Sequence, residues 1–296
     1  MPNHGFLILD KPTGISSAKA VSDVKRLLKC KKIGHGGTLD PLASGVLPLA
    51  IGEATKAFDY VASSIKEYRF TVTFGQERDT DDAEGQVTAE TDLLPTRDAL
   101  LAALPSFTGA IMQTPPAYSA LKIDGERAYK RARAGEQVVM TPRPVEVHAL
   151  MLAPLPEGPA LAATFTVRCG KGTYVRSLAR DIARKVNSLG YVSMLRRTEV
   201  GRFRETDAIS LDKLAELVHT PALFGAWVPL ELALDDIPAI ELDPQQTLRL
   251  RQGQAVHVES AEGRVVARSN GRVAALADVR QGMLRPVRVF NINEGD

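Results

Sequence analysis

The chain has 296 residues, 44% hydrophobic and 24% charged, which excludes a peptide or disordered tail and leaves room for one large core or two ordinary ones. Its 37 Lys and Arg stand against 35 Asp and Glu, so net charge neither names nor excludes a polyanionic partner. Only Cys30 and Cys169 occur, too few for a disulfide framework or a four-thiolate zinc site, so a reducing, cytoplasmic setting is expected.

In chain order, the apolar run 6–9 predicts a buried strand that Asp10 and Lys11 end well short of a signal-peptide core or membrane span. No targeting segment and no membrane association are expected. Ser16 or Ser17 then caps a helix with Val21, Val24, Leu27 and Leu28 on one face and Lys19, Lys25, Arg26 and Lys29 on the other. Strict alternation over 67–74 predicts a half-buried strand carrying Tyr68, Phe70, Val72 and Phe74 on its core side. Thr96 caps a short helix over 97–104, and 163–169 alternates again as a strand. After the turn 170–172, Val175, Leu178, Ile182 and Val186 mark a helix with Thr173 as its expected cap. Ser210 caps one more through Leu217, and a hydrophobic stretch at Trp227 and Val228 closes the main body. Beyond Pro238, eight Arg and no Lys accompany short alternating runs (255–258, 264–268, 272–277, 284–290), with turns at Glu262-Gly263 and Asn270-Gly271. This spacing predicts a small β-barrel. Strands and helices interleave irregularly, so the fold class is α+β with a mixed, largely antiparallel sheet. The expected domains are 1–237 and 238–296.

Charge is polarised. Residues 168–204 carry ten basic side chains against Asp181 and Glu199, whereas 77–92 carries seven acids against Arg78. One basic surface facing a polyanion is expected. The acidic segment Asp79, Asp81, Asp82 and Glu84 is read as a solvated loop in preference to a divalent-cation site, because it lacks the calcium-loop spacing. No metal is expected. Cys169 reads as a buried hydrophobe. Cys30 sits among Lys29, Lys31 and Lys32, which would lower its pKa, but no base or second thiol adjoins it.

The most unusual segment is Gly34-His35-Gly36-Gly37-Thr38-Leu39-Asp40-Pro41, followed by Ser44-Gly45-Val46-Leu47. It lacks the Gly-Lys-Ser/Thr ending of a phosphate-cradling loop. Local chemistry leaves two readings of Asp40: a turn cap before Pro41, or a lone carboxylate projecting from a loop. By local chemistry His35 reads as a structural or solvated loop residue, and one His without Cys, His or Glu nearby is a poor metal site.

This segment resembles the signature of the bacterial tRNA pseudouridine synthases of the TruB type, which modify uridine 55 in the T loop. Asp10-Lys11-Pro12-Thr13-Gly14 with Ser16-Ser17 is similar to the family's N-terminal motif, and Lys66-Glu67-Tyr68 to its tyrosine strand. Residues 115–122, continuing through Gly125, Tyr129 and Arg133, resemble its RNA-gripping thumb, expected over about 115–150; 171–178 and Leu195-Arg196-Arg197-Thr198 resemble its remaining motifs. Gly36 stands where the family commonly has Thr, and Tyr191-Val192 where it usually has His-Leu.

The resemblance implies the pseudouridine synthase fold with a small C-terminal barrel of the PUA type, and isomerisation of a flipped-out uridine. It implies Asp40 as catalytic carboxylate, nucleophile or base, with Tyr68 stacking on the base and Arg176 pairing with Asp40. Without it, Tyr68 reads as core and Arg176 as one of a solvated stripe with Arg180 and Arg184. It further implies Leu195 as a pocket wall, His35 as a stacking group where the RNA opens, and Lys11 as support for its motif or a substrate contact, a surface charge being the plain alternative. Lys122, Lys130, Arg131, Arg196 and Arg197 are the candidate phosphate contacts. The expected partner is the T arm of tRNA, with no cofactor, no protein partner and a monomeric state. The rival reading is a non-catalytic RNA-binding module.

Overall fold

The computed structural model describes residues 3–61, 65–119, 121–123, 125–136 and 138–292. The chain divides into two compact units, one made of 1–40, 46–63 and 201–296, the other of 41–45 and 64–200.

The first unit begins with β1 (Gly5–Lys11), buried along its length except at Asp10, as an unbroken apolar run demands. Ser16 caps α1 (Ser17–Leu28) by accepting from the Lys19 amide at 3.2 Å, and Ala20, Val24 and Leu28 turn inward at four-residue spacing. β2 (Ile33–His35) runs antiparallel to β3 (Ser44–Ile51), placing His35 opposite Leu49. The helical turn α2 (Phe58–Val61) follows, and Phe6 meets Phe58 edge-on at 5.5 Å between ring centroids.

The second unit opens on β4 (Lys66–Phe74), whose buried positions are Phe70, Val72 and Phe74. It continues through β5 (Gln76–Arg78), β6 (Val87–Glu90), α3 (Arg97–Ala103), β7 (Gly109–Gln113), β8 (Lys122–Ile123), β9 (Glu126–Arg127) and α4 (Ala128–Arg133). Thr96 caps α3 as expected. β10 (Arg143–Leu152), β11 (Ala162–Cys169), α5 (Val175–Lys185) and β12 (Gly190–Val200) complete it. Its strand order β12-β4-β11-β10-β7 is antiparallel throughout. Ser44 and Gly45, at the start of β3, pair in parallel with Arg196 and Arg197, which makes the sheet mixed. Gly45 has φ +101°, and a Cβ there would lie 2.2 Å from the Arg197 carbonyl oxygen, so no other residue fits. Phe70 stacks on Phe165 at 5.3 Å, and α5 buries Val175, Leu178, Ala179, Ile182 and Ala183. The expected cap of this helix is corrected: Tyr174 holds the N-cap position, and the Thr173 hydroxyl instead donates to the Gly170 carbonyl at 3.1 Å.

The chain then returns to the first unit through β13 (Phe203–Arg204), α6 (Leu211–Leu217), β14 (Trp227–Pro229) and α7 (Leu230–Ala233). β14 pairs antiparallel with β1, giving the order β14-β1-β3. The C-terminal stretch forms β15 (Ala239–Glu241), α8 (Pro244–Arg251), β16 (Val256–His257), β17 (Gly263–Ser269), β18 (Arg272–Arg280) and β19 (Met283–Val289). Asn270 and Gly271 both take positive φ, 51° and 74°, as a two-residue hairpin of this hand requires. The expected barrel becomes a five-stranded sheet ordered β15-β17-β18-β19-β16, with two ends among the described residues. The sequence reading missed α8, whose Leu250 joins Leu242, Val265, Ala277 and Leu284 in the sheet's own apolar cluster. This sheet also ties back to 53–60: Lys56 Nζ donates to the Val289 carbonyl at 2.8 Å, Glu53 accepts from the Asn291 amide at 2.7 Å, and Arg264 lies over the Tyr60 ring.

Candidate active site

In the first unit, Asp40 sits on the stretch linking β2 to β3, half-buried. The backbone beside it is fixed by one side chain. Ser17, buried in the first turn of α1, accepts from the Leu39 amide at 2.8 Å and donates to the Leu39 carbonyl at 2.9 Å. Both polar groups of the residue before Asp40 are thus satisfied without a regular element, which ties the loop to α1 at this point. Lys11 is fully buried and donates to the Pro12 and Ile15 carbonyls at 2.8 and 2.7 Å, so it braces its own motif and is not a surface charge. His35 ends β2 and is strand-paired, where a loop residue was expected.

Gly36 gains a physical reason. A Cβ at this position would stand 2.3 Å from Phe58 Cε1, on a ring already packed against Phe6. Gly36→Thr is therefore expected to lower unfolding stability by about 1–3 kcal/mol through overpacking, and Phe58→Ala in the same chain should recover part of that loss. Urea unfolding of the two variants checks this; an unchanged midpoint for Gly36→Thr would show that the ring yields at no cost.

In the second unit, Tyr68 lies on β4 between Val167 of β11 and Arg197 of β12. It is half-buried where Phe70, Val72 and Phe74 are fully covered, so it shares their face at the end where that face opens. Leu195 is buried opposite Phe70, and Arg196 is half-buried opposite Arg69. Arg197 is corrected: it is completely buried, and so is not displayed to a phosphate backbone.

The solvated arginine stripe and the solvated acidic loop are corrected together. Arg176, Arg180 and Arg184 recur one turn apart along α5, and the acidic segment meets each of them. Arg176 Nη1 lies 3.5 Å from Asp82, Arg180 Nη1 2.8 Å from Asp81, and Arg184 Nη2 2.7 Å from Glu77. Asp81, Asp82 and Arg176 are buried. Burial pushes the Asp81 carboxyl up to about 6, although Arg180 and Arg176 pull it the other way. Arg176 also donates to the carbonyls of Thr80 and Tyr118, both at 2.9 Å. Arg180 and Ser177 both donate to the Thr114 carbonyl, while Gln113 brackets the Tyr174 backbone, donating to its carbonyl and accepting from its amide. The first turns of α5 therefore pin residues 113–118, the root of the predicted thumb. Sequence reasoning missed Ser17, Asp81, Asp82 and Gln113 in these roles. The signal for the two aspartates was the pair of oppositely charged runs within one near-neutral chain.

Where the thumb is expected, Lys130 is exposed on α4, and Arg131 is held to Glu136 at 2.7 Å, which offsets its charge. The Lys122 side chain lies outside the described residues. Among the described residues no three His, Cys, Asp or Glu side chains are grouped to hold a metal, and no helix is long and apolar enough to cross a membrane. The Cys30 thiol is corrected as well: burial raises its pKa in spite of Lys25, and burial pushes Cys169 up to about 11.

Comparison with known proteins places the chain in a family. A model of the TruB family pseudouridylate synthase N-terminal domain matches residues 25–175, and one of the tRNA pseudouridylate synthase B C-terminal domain matches 176–235. The chain is 51% identical, over 98% of its length and 86% of the relative, to a protein of Bradyrhizobium diazoefficiens named tRNA pseudouridine synthase B. A Zymomonas mobilis protein of the same name is 47% identical over 97% of this chain and 96% of its own. Among solved structures, an H/ACA RNP bound to a substrate RNA containing 2'-deoxyuridine superposes with a TM-score of 0.72 at 22% identity, covering 98% of this chain and 86% of that one. An archaeal Nop10-Cbf5 complex gives 0.71 at 23%, covering 99% and 88%. At such identities the structural likeness speaks for the fold alone. Matched by family models over residues 25–235 and by relatives over nearly its whole length, the chain belongs to the TruB family of pseudouridylate synthases.

Proposed function

We propose that this protein isomerises uridine 55 in the T loop of tRNA to pseudouridine, with Asp40 as the catalytic carboxylate. The observation that carries the reading is 51% identity over 98% of the chain to a relative named tRNA pseudouridine synthase B. The reaction breaks the bond from N1 to C1', rotates the freed uracil and joins C5 to C1'; the C5 proton leaves and N1 gains one, so nothing else is consumed. A single carboxylate suffices, either adding to C1' or removing a proton from the sugar on a glycal route. Asp40 is a sound candidate because Ser17 fixes the backbone of the adjoining Leu39, and a preset carboxylate spares the entropy of orienting it at each turnover.

Tyr68 is assigned to stack on the extruded base, Leu195 to wall the pocket and Arg176 to keep the carboxylate ionised. His35 is assigned to the point where the RNA opens, Lys11 to bracing the motif, and Lys130, Arg131 and Arg196 to the RNA backbone. Residues 238–296 are proposed as an RNA-binding module. The test is to map carbodiimide-marked pseudouridine in a full-length tRNA transcript after incubation with the protein. A single mark at position 55 is expected; marks elsewhere, or none with RNA still bound, would replace this reading, the latter with a binding module.

A further inference from the structure

Half of the ten basic side chains over 168–204 are paired with acids of the protein itself, some of them at its surface. Arg176, Arg180 and Arg184 face Asp82, Asp81 and Glu77; Arg168 reaches Glu199, and Arg202 reaches Asp235. Beyond the exposed Lys171 and Lys185, positive charge without a paired acid collects where α1 runs into β2. Lys25, Lys29, Lys31 and Lys32 are all exposed there, and none lies within ion-pair distance of a carboxylate among the described residues. Asp23, the acid on this helix, is taken by Lys19 and Arg26. Glu53, whose charge Lys32 feels, is held by Lys56 at 2.6 Å and by the Asn291 amide.

The turn that carries these lysines is built, not loose. Lys29 closes α1 in the left-handed conformation at φ 49°, and the Lys32 carbonyl accepts from the Gly52 amide at 2.9 Å. Lys29, Lys31 and Lys32 rim a cavity of about 380 Å³ whose wall includes Leu28, Ile51, Leu223 and Trp227. The negative end of the α1 dipole accounts for Lys25, which lies in the last turn, but not for Lys31 and Lys32 beyond it.

We propose that this corner is a docking point for the RNA phosphate backbone, separate from the Asp40 loop. The proposal rests on the tRNA reading above. Flexible ammonium groups without paired acids suit a row of phosphates, to which they bind as point charges without reading sequence. Lys32 adjoins the end of β2 opposite His35, about 10 Å along the strand at the usual rise per residue, so an RNA engaged at His35 passes within reach. The acidic partner with such spaced charges in this setting is the substrate itself.

The experiment measures tRNA affinity against salt for the full chain and for Lys31→Glu/Lys32→Glu. Loss of two phosphate contacts should weaken binding at least about 10-fold near 0.1 M salt and flatten the log–log slope by about 2. Trp227 is the sole tryptophan, so its fluorescence should change when tRNA is added to the unmodified protein, and the change should disappear in the variant. If the double variant fails to melt cooperatively, Lys29→Ala with Lys31→Ala is read in its place. An unchanged slope would overturn the proposal. Retained tRNA binding with lost retention on polyglutamate would also overturn it, assigning the corner to an acidic protein. Turnover of the unmodified protein, followed in parallel, separates failure of this corner from failure of the tRNA reading.

Discussion

Asp40→Asn is expected to abolish isomerisation, by at least about 10³-fold, while tRNA affinity stays within a few-fold. The amide keeps the size of the carboxylate and leaves the Ser17 clamp on Leu39 untouched, so the loop retains its path. It removes both the negative charge and the basicity that either route requires at C1' or on the sugar. A loss confined to binding would mean that Asp40 only shapes the loop, and appreciable turnover by pure variant protein would remove it from the chemistry. Single-turnover kinetics at saturating RNA, beside filter binding, separates these outcomes.

The second large effect belongs to Arg176. Replacing it by Met leaves Asp82 buried without that cation, with Asp81 nearby, and strips a donor from the carbonyls of Thr80 and Tyr118. Breaking such a buried pair from one side costs about 3–5 kcal/mol, because the remaining charge is stranded. Stability and activity should therefore both fall, activity by at least about 100-fold. The second substitution Asp82→Leu separates the two: it removes the stranded carboxylate and should restore much of the stability, yet turnover should stay low if Arg176 acts on the catalytic carboxylate. Recovery of turnover together with stability would reduce Arg176 to a structural anchor of residues 113–118. Urea unfolding and single-turnover rates on the same two proteins decide it.

The regular elements were legible in the sequence because local rules govern them. Strict alternation placed β4, and Ser16, Thr96 and Ser210 accept from the amides their positions predict. The Asn270-Gly271 dipeptide between alternating runs marks its hairpin, and both residues take the positive φ it requires. The site motifs were legible only through resemblance, since local chemistry favours a turn cap for Asp40 and core for Tyr68. What the sequence hid is long-range. Nothing near Asp81 or Asp82 reveals that they fold against arginines almost a hundred residues later, so a charged run that looks solvated in the sequence is buried by tertiary pairing. Arg197 is hidden for the same reason: a charged residue is a poor core candidate until its strand neighbours are known. The open order of the C-terminal sheet and α8 were missed because alternating runs specify strands but not closure, and the apolar pattern of α8 is weak.

Release of tritium from a T-arm transcript labelled at uridine C5 tests the central claim most directly, because only a new bond at C5 expels that hydrogen as the base stays in the chain. Release approaching one equivalent per transcript is expected with the unmodified protein, and none with Asp40→Asn. Full retention of the label by RNA that the unmodified protein demonstrably binds would contradict that claim.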